Sequence, residues 1–300
     1  MTTDNDYLNS VLDSQTLDPD GLEMTALQGE RQKVETLLRK RFGSSPTIKY
    51  GGSKAKGTMI KESYDLDTIT YFPHDDTSAG ETLEEIYNNT EQALSDGYLV
   101  ERKGSALRLK DKSQKSYGTD FHIDVVPGRY IDGDDGDVFL YRATGEKKRL
   151  KTNLEVHINH VVDGGVTDAI RLMKLWRVRN EVPIKNFALE LLTIKLLAQH
   201  KGDSLSSQLT RVWEEFRDHS GSLSIEDPAN PAGNDLSELL NETVRQSLNQ
   251  IATSTLSTLD THGWEAVFGT VEKQSDQDKK ASLERIAAAI PRPTKPWFNG

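Results

Sequence analysis

Two aspartates one residue apart, Asp65 and Asp67, follow a small turn, Tyr50-Gly51-Gly52-Ser53-Lys54-Ala55-Lys56-Gly57-Thr58. In a β-strand, residues i and i+2 point to the same face, so the two carboxylates project side by side next to the turn. A brief helix starting at Ser53 puts the glycine pair at a helix N-terminus, where Ser53 and the backbone N–H groups after Gly52 can grip terminal phosphates. The chemistry that uses such parts is phosphoryl transfer. It needs an in-line nucleophile, a stabilised leaving pyrophosphate and charge neutralisation at both ends, which two magnesium ions about 3.5–4 Å apart supply. It also needs a third carboxylate from another strand.

Asp120-Phe121-His122-Ile123-Asp124-Val125-Val126-Pro127 is the obvious source. Phe121, Ile123 and Val125 share one face of a strand; Asp120, His122, Asp124 and Val126 share the other. An aspartate inside such an apolar run costs several kcal/mol if buried and unpaired, so it requires a cation, and a metal is a good one. Asp124 sits deeper in the run than Asp120 and fits better. The bland alternative is the solvent face of an edge strand, and the turn and Asp65-x-Asp67 upstream weigh against it. In this reading Asp65 and Asp67 hold both ions and Asp124 completes the ion on the nucleophile side. Gly-Gly-Ser alone is a weak signal; the three segments together are a strong one.

Further along, Ala169-Ile170-Arg171-Leu172-Met173-Lys174-Leu175-Trp176-Arg177 is apolar around most of a helix, with cations at i, i+3 and i+6. Cations on a mostly buried helix need an anion. A triphosphate is one, with Lys174 the best candidate to meet it; carboxylates of the same lobe are the alternative, favoured for Arg171 and Arg177. Phe187 opens the apolar helix Asn186-Phe187-Ala188-Leu189-Glu190-Leu191-Leu192 and is placed either to stack on a base or to pack in the core. Lys54 and Lys56 flank the turn, in reach of phosphate or of solvent.

The elements that must position these groups fall into two halves. Helical periodicity covers 20–42 and 81–95, and strands are expected at 47–50, 67–72, 98–103, 106–110 and 121–126. After about residue 150 the pattern turns helical, at 167–178, 187–198, 205–216, 236–256 and 282–290. We therefore expect an α+β fold with a catalytic lobe over 1–165 and a helical lobe over 166–300. The loop Ile131-Asp132-Gly133-Asp134-Asp135-Gly136-Asp137 reads as a polar hairpin turn. It lacks the twelfth-position acid and the flanking helices of an EF-hand.

Composition narrows the classes. The 300 residues, 35% hydrophobic and 28% charged, suit a globular protein, and the absence of cysteine excludes disulfides, cysteine-ligated zinc and a thiol nucleophile. Seven histidines show no metal-ligand spacing. A net charge of −10 argues against constitutive binding of long nucleic acid. An acidic, polar N-terminus and the lack of any run of roughly 18 apolar residues make the cytoplasm the default location and give no membrane partner.

At these residues the chain resembles a known family. It looks like the template-independent nucleotidyltransferases that include oligoadenylate synthase, cyclic GMP–AMP synthase and the bacterial CD-NTases of anti-phage CBASS systems. The likeness is carried by Gly51-Gly52-Ser53 through Asp65-Leu66-Asp67, by Ile123-Asp124-Val125-Val126-Pro127, by Ile170 to Trp176 with Phe187-Ala188-Leu189-Glu190-Leu191-Leu192, and by Asp227-Pro228-Ala229-Asn230-Pro231-Ala232-Gly233-Asn234. Trp264-Glu265-Ala266-Val267-Phe268-Gly269 is similar to a late helix of the bacterial members. The first two segments are shared by the wider polymerase-β-like superfamily; the third and fourth narrow the choice to this branch.

The resemblance implies a two-lobed enzyme with its site in the cleft, nucleoside triphosphate substrates with ATP among them, Mg2+ (two ions, with Mn2+ as the alternative) and release of pyrophosphate. It implies Asp65, Asp67 and Asp124 as metal ligands, Ser53 as the phosphate contact and Lys174 as a nucleotide contact. The product would be a cyclic di- or trinucleotide read by an effector protein. The terminal Lys295-Pro296-Trp297-Phe298-Asn299-Gly300 is compatible with conjugation through Gly300, or with an ordinary packed terminus. Two rivals remain open: a linear oligonucleotide synthase or transfer-RNA CCA-adding type of nucleotidyltransferase, and a non-catalytic nucleotide sensor.

Overall fold

A computed structural model of the chain describes residues 3–64, 66–112, 123–132 and 136–271. Asp65, Asp120, Gly300 and the helix expected at 282–290 lie outside them.

The centre is a pair of parallel strands, β2 (Leu66–Phe72) and β5 (Ile123–Tyr130). Around it β1 (Thr47–Tyr50), β3 (Tyr98–Arg102), β4 (Leu107–Asp111), β6 (Asp137–Tyr141) and β7 (Arg149–Asn153) complete a seven-stranded mixed sheet. The order is β1-β2-β5-β4-β3; β6 takes the same edge of β5 beyond the end of β4, and β7 follows β6. Alternation decides the faces. Leu66, Phe72, Leu107, Leu109, Ile123 and Val125 pack under α2 (Leu22–Phe42) and α4 (Leu83–Ser95), against Val34, Leu38, Ile86, Tyr87 and Leu94. Asp67, Arg108 and Asp124 therefore point away from these helices. Beyond the carboxylates that opposite face closes on a small cluster of Ile69, Tyr71, Val138 and Leu140.

The second half is a bundle of α5 (Leu154–Gly164), α6 (Thr167–Arg179), α7 (Asn186–Leu196), α8 (Leu205–His219), α9 (Glu242–His262) and the short α10 (Trp264–Phe268). α6 is central: Ala169, Ile170, Leu172, Met173, Leu175 and Trp176 are all buried, as its nearly all-round apolar sequence demands. Trp213 lies between Trp176 and Trp264, at ring-centroid distances of 6.0 and 5.7 Å, and the Trp176 indole N–H donates to Thr255 Oγ1 at 2.8 Å. No helix among the described residues is long and apolar enough to cross a membrane.

Elements not among those expected from periodicity include β6 and the following three. α1 (Asp4–Ser14) looks polar, yet Leu8, Val11 and Leu12 form one helical stripe that packs into the bundle's core, and a reciprocal Thr3–Asp6 capping box starts it. Thus the first helix of the chain joins the helical half. β7, Arg-Leu-Lys-Thr-Asn, carries almost no apolar signal and forms because β6 offers it an edge. α5 starts where the Asn153 side chain caps Glu155 and Val156. The helix expected at 236–256 runs later, because Asn241 caps it at Val244 and the preceding residues make a 3-10 turn. β5 and β6 pair antiparallel, with Ile131 N–H donating to the Asp137 carbonyl at 3.0 Å; residues 133–135 of the expected turn lie outside the described residues.

Candidate active site

Asp67 and Asp124 are register partners across the parallel β2–β5 pair. Neighbouring strands lie about 4.8 Å apart and register partners point to the same face, so these two carboxylates sit side by side. Arg108 is the partner of Asp124 on the other flank, across β4–β5. Its guanidinium grips both carboxylate oxygens, Nε to Oδ1 at 2.9 Å and Nη2 to Oδ2 at 2.8 Å.

The turn is built against Asp67. Gly51 N–H donates to the Asp67 carbonyl at 3.0 Å. Gly52 has φ +67°, and a Cβ there would stand 1.7 Å from Asp67 Oδ2. Only glycine allows both this conformation and this approach. A four-residue helix, α3 (Gly52–Ala55), follows, one residue earlier than periodicity suggests. Ser53 Oγ is buried and has no hydrogen-bond partner among the described residues. Buried hydroxyls normally find partners, so this one is suited to a ligand oxygen.

The turn then runs to the helical half and ends in a buried charge cluster. Glu190 of α7, 2% exposed, pairs with Lys174 of α6 at 2.5 Å and with Lys56 at 2.8 Å. Thr58 Oγ1 donates to Glu190 Oε1 at 2.9 Å and accepts from Lys174 Nζ at 2.8 Å. Burial pushes the Glu190 carboxyl up, but the two ammonium groups outweigh it and hold the acid below its ordinary range. Lys174, only 3% exposed, has a protein carboxylate as its anion. The other two cations of its stripe also have protein partners. Arg171 donates to the Leu12 carbonyl and Thr16 hydroxyl, and Arg177 to the Ile184 carbonyl.

Lys56 Nζ lies 5.6 Å from the Phe187 ring centroid, and the Phe187 ring is 5.0 Å from the His157 ring. His157 Nε2 is fixed by Thr152 Oγ1 at 3.1 Å and Asp227 Oδ1 at 3.2 Å. Burial raises the Asp227 carboxyl; the hydrogen bonds from His157 and Asn234, with the Ala229 N–H, more than reverse this and hold it low. Asn234 ties the same loop to the Lys151 carbonyl. The Asp227–Asn234 segment therefore anchors the wall that carries His157 and Phe187. Asn186 Oδ1, beside Phe187, is buried without a partner among the described residues.

The structure thus brings together Asp67, Asp124, Gly52 and Ser53 at one end of the turn, and Lys56, Lys174 and Phe187 at the other. Sequence reasoning gave no role to Arg108, Glu190, Asn186 or His157. Arg108, between Leu107 and Leu109, carries the same signal that singles out Asp124 between Ile123 and Val125, a charge alternating with apolar residues in a strand.

Among the described residues no three metal-ligating side chains cluster; two of the expected three carboxylates are within the description and Asp65 is outside it. The two that are placed fit a divalent cation. They are paired acids on one sheet face, beside a glycine cradle that a Cβ would fill and an orphaned buried hydroxyl.

No known family model matches this chain, and no curated protein sequence does. Solved structures do. The chain is similar to CdnC of E. coli MS115-1 with ATP, at TM-score 0.65 and 20% identity, over 90% of this chain and 99% of that one. It is similar to the Bradyrhizobium diazoefficiens CD-NTase CdnG in complex with GTP, at 0.65 and 15%, over 94% and 98%. Vibrio cholerae DncV, a cyclic AMP-GMP synthase, matches at 0.57 and 18%, over 82% and 76%. The α+β fold of this protein, a mixed sheet joined to a helical lobe, is the CD-NTase fold.

Proposed function

We propose that the protein is a template-independent nucleotidyltransferase that joins nucleoside triphosphates into a cyclic di- or trinucleotide, releasing pyrophosphate at each step. The observation that carries this reading is the register pairing of Asp67 with Asp124, on the sheet face left open by α2 and α4 and against the Gly52 turn. Neighbours of the same fold are described as bound to ATP or GTP, and one as a cyclic AMP-GMP synthase.

In this reading a ribose hydroxyl of one nucleotide attacks the α-phosphorus of another. The new O–P bond forms as the bond to pyrophosphate breaks, and the hydroxyl's proton passes to an adjacent carboxylate and on to solvent. Asp65, Asp67 and Asp124 would hold two Mg2+ ions, or Mn2+, which supply charge neutralisation at the attacking and leaving oxygens. Ser53 Oγ and the turn's backbone N–H groups hold the phosphate tail. At the inner end of the turn Lys56, 11% exposed, brings a positive charge beside Glu190 and Lys174. That charge favours an anionic tail there. Phe187 offers a face for a base, steadied by His157. The cyclic product would serve as a signal to an effector protein in anti-phage defence.

The test is incubation of the full chain with α-labelled triphosphates and Mg2+, followed by phosphatase. A product whose mobility phosphatase leaves unchanged and which carries one label per nucleotide is expected; a linear product loses its terminal phosphates and keeps one label fewer than its nucleotides. A product with a free phosphorylated end supports a linear synthase instead. Absence of any turnover, with nucleotide binding intact, leaves a sensor.

A further inference from the structure

Arg108 occupies the carboxylate that the proposed chemistry needs. Its side-on fork engages both oxygens of Asp124, at 2.9 and 2.8 Å, in a pair whose side chains are only 26% and 16% exposed. A carboxylate has about four lone-pair sites, and a side-on guanidinium takes the two inner ones. Those are the ones a metal ligand offers best. The pair is not an accident of a mobile surface arginine. β4 and β5 bring Arg108 and Asp124 into register, with Leu107 and Leu109 anchored at the back of the same strand and Asp67 on the far flank of Asp124.

We propose that Arg108 is a built-in counter-ion that Asp124 exchanges for a divalent cation. The inference rests on the reading of Asp124 as a metal ligand. Without metal, carboxylates crowded on one sheet face repel, and Arg108 neutralises the one it grips. When a cation arrives, Asp124 turns at least one oxygen to it and the fork opens. Without nucleotide, the metal affinity of the site is therefore set below what Asp124 would give it in the absence of Arg108. A cation arriving with a triphosphate pays the exchange more readily than a stray one, because the tail's contacts at Ser53 and the turn are added.

The test is Mn2+ binding to the full chain without nucleotide, read as free Mn2+ by electron paramagnetic resonance, with folding checked by circular dichroism. Arg108→Met should bind Mn2+ at least tenfold more tightly than the unmodified protein. Arg108→Lys keeps the charge but loses the fork. It should tighten binding by a smaller factor, and it decides the question should the methionine variant not fold. In an Asp124→Asn background the Arg108→Met gain should vanish. Unchanged or weaker Mn2+ binding in the folded Arg108 variants overturns the exchange. So does a gain of equal size in the Asp124→Asn background, which would make Arg108 a general charge. If Mn2+ binding behaves as expected but triphosphates are not turned over, the exchange stands and the synthase reading fails. If turnover occurs and the Arg108 variants bind Mn2+ like the unmodified protein, only the exchange fails.

Discussion

Removing the charge of Glu190 tests how the two halves are held together. In the folded protein this one carboxylate faces two lysines, at 2.5 and 2.8 Å, and accepts from the Thr58 hydroxyl. At an effective dielectric of about 20, each contact is worth roughly 6 kcal/mol of gross Coulomb energy, offset by several kcal/mol of desolvation for each ion. Glu190→Gln keeps the shape and removes the carboxylate that the two ammonium groups share, one of them 3% exposed. Breaking a buried pair in this way costs about 3–5 kcal/mol. There is an independent ceiling. A stranded lysine can lose its proton instead, which at pH 7 costs about 4.6 kcal/mol from an ordinary pKa near 10.4. The two figures agree, and either is a large part of the ~5–15 kcal/mol that holds a typical protein folded.

Urea unfolding followed by circular dichroism measures the loss. Replacing the whole cluster, Lys56→Met, Lys174→Met and Glu190→Leu together, should restore most of it, since an apolar substitute leaves no ion uncompensated. The acid limb carries the same information. Glu190 binds its proton less readily folded than unfolded, so its stabilisation is complete above the ordinary glutamate value of 4.5 and is lost as pH falls through the lower folded value. Glu190→Gln should flatten that part of the stability–pH curve. A loss below about 1 kcal/mol in the single variant, or a triple variant no better than the single, refutes the reasoning.

Other expectations follow from single contacts. Asp67→Asn and Asp124→Asn should keep a native circular dichroism spectrum and lose at least about 10³-fold in turnover, as several kcal/mol of charge stabilisation goes; near-native turnover in either removes that residue from the site. Ser53→Ala should leave urea stability unchanged or raise it by about 1 kcal/mol, because it deletes a buried hydroxyl with no partner in the fold. The same variant should bind a non-hydrolysable triphosphate roughly tenfold more weakly by calorimetry, and equal affinity would leave that hydroxyl without a ligand. Gly52→Ala should lose both stability, by about 2 kcal/mol or more, and turnover, since the new methyl falls on Asp67 Oδ2 at a backbone angle that disfavours side chains. A stable, active variant would mean the turn is not packed on the carboxylate.

Much of the sheet half is legible because its signals are local. β1 is read to the residue, and β2 and α4 to within two, since alternation in the strands and the helical spacing of apolar residues in α4 mark them; the Thr82–Glu85 capping box that sets the start of α4 is no part of that reading. β7 and α1 are not legible, because what stabilises them is supplied by distant partners: β6 for one, the core of the helical lobe for the other. The charges teach something sharper. One physical rule, that an ion inside an apolar element needs a counter-ion, flags Asp124 and Lys174 alike. It is satisfied in both places, but by the protein itself, through Arg108 and Glu190. The rule gives the need for a partner and is silent on its identity, because partner and ion meet only through the fold. The two pairs differ in what each is free to do next. Lys174 is buried between α6, α7 and the turn, paired with Glu190. Asp124 stands at the open face beside Asp67, where its arginine can be exchanged. Burial, more than residue type, separates the two pairs: 3% and 2% exposed for Lys174–Glu190 against 26% and 16% for Arg108–Asp124.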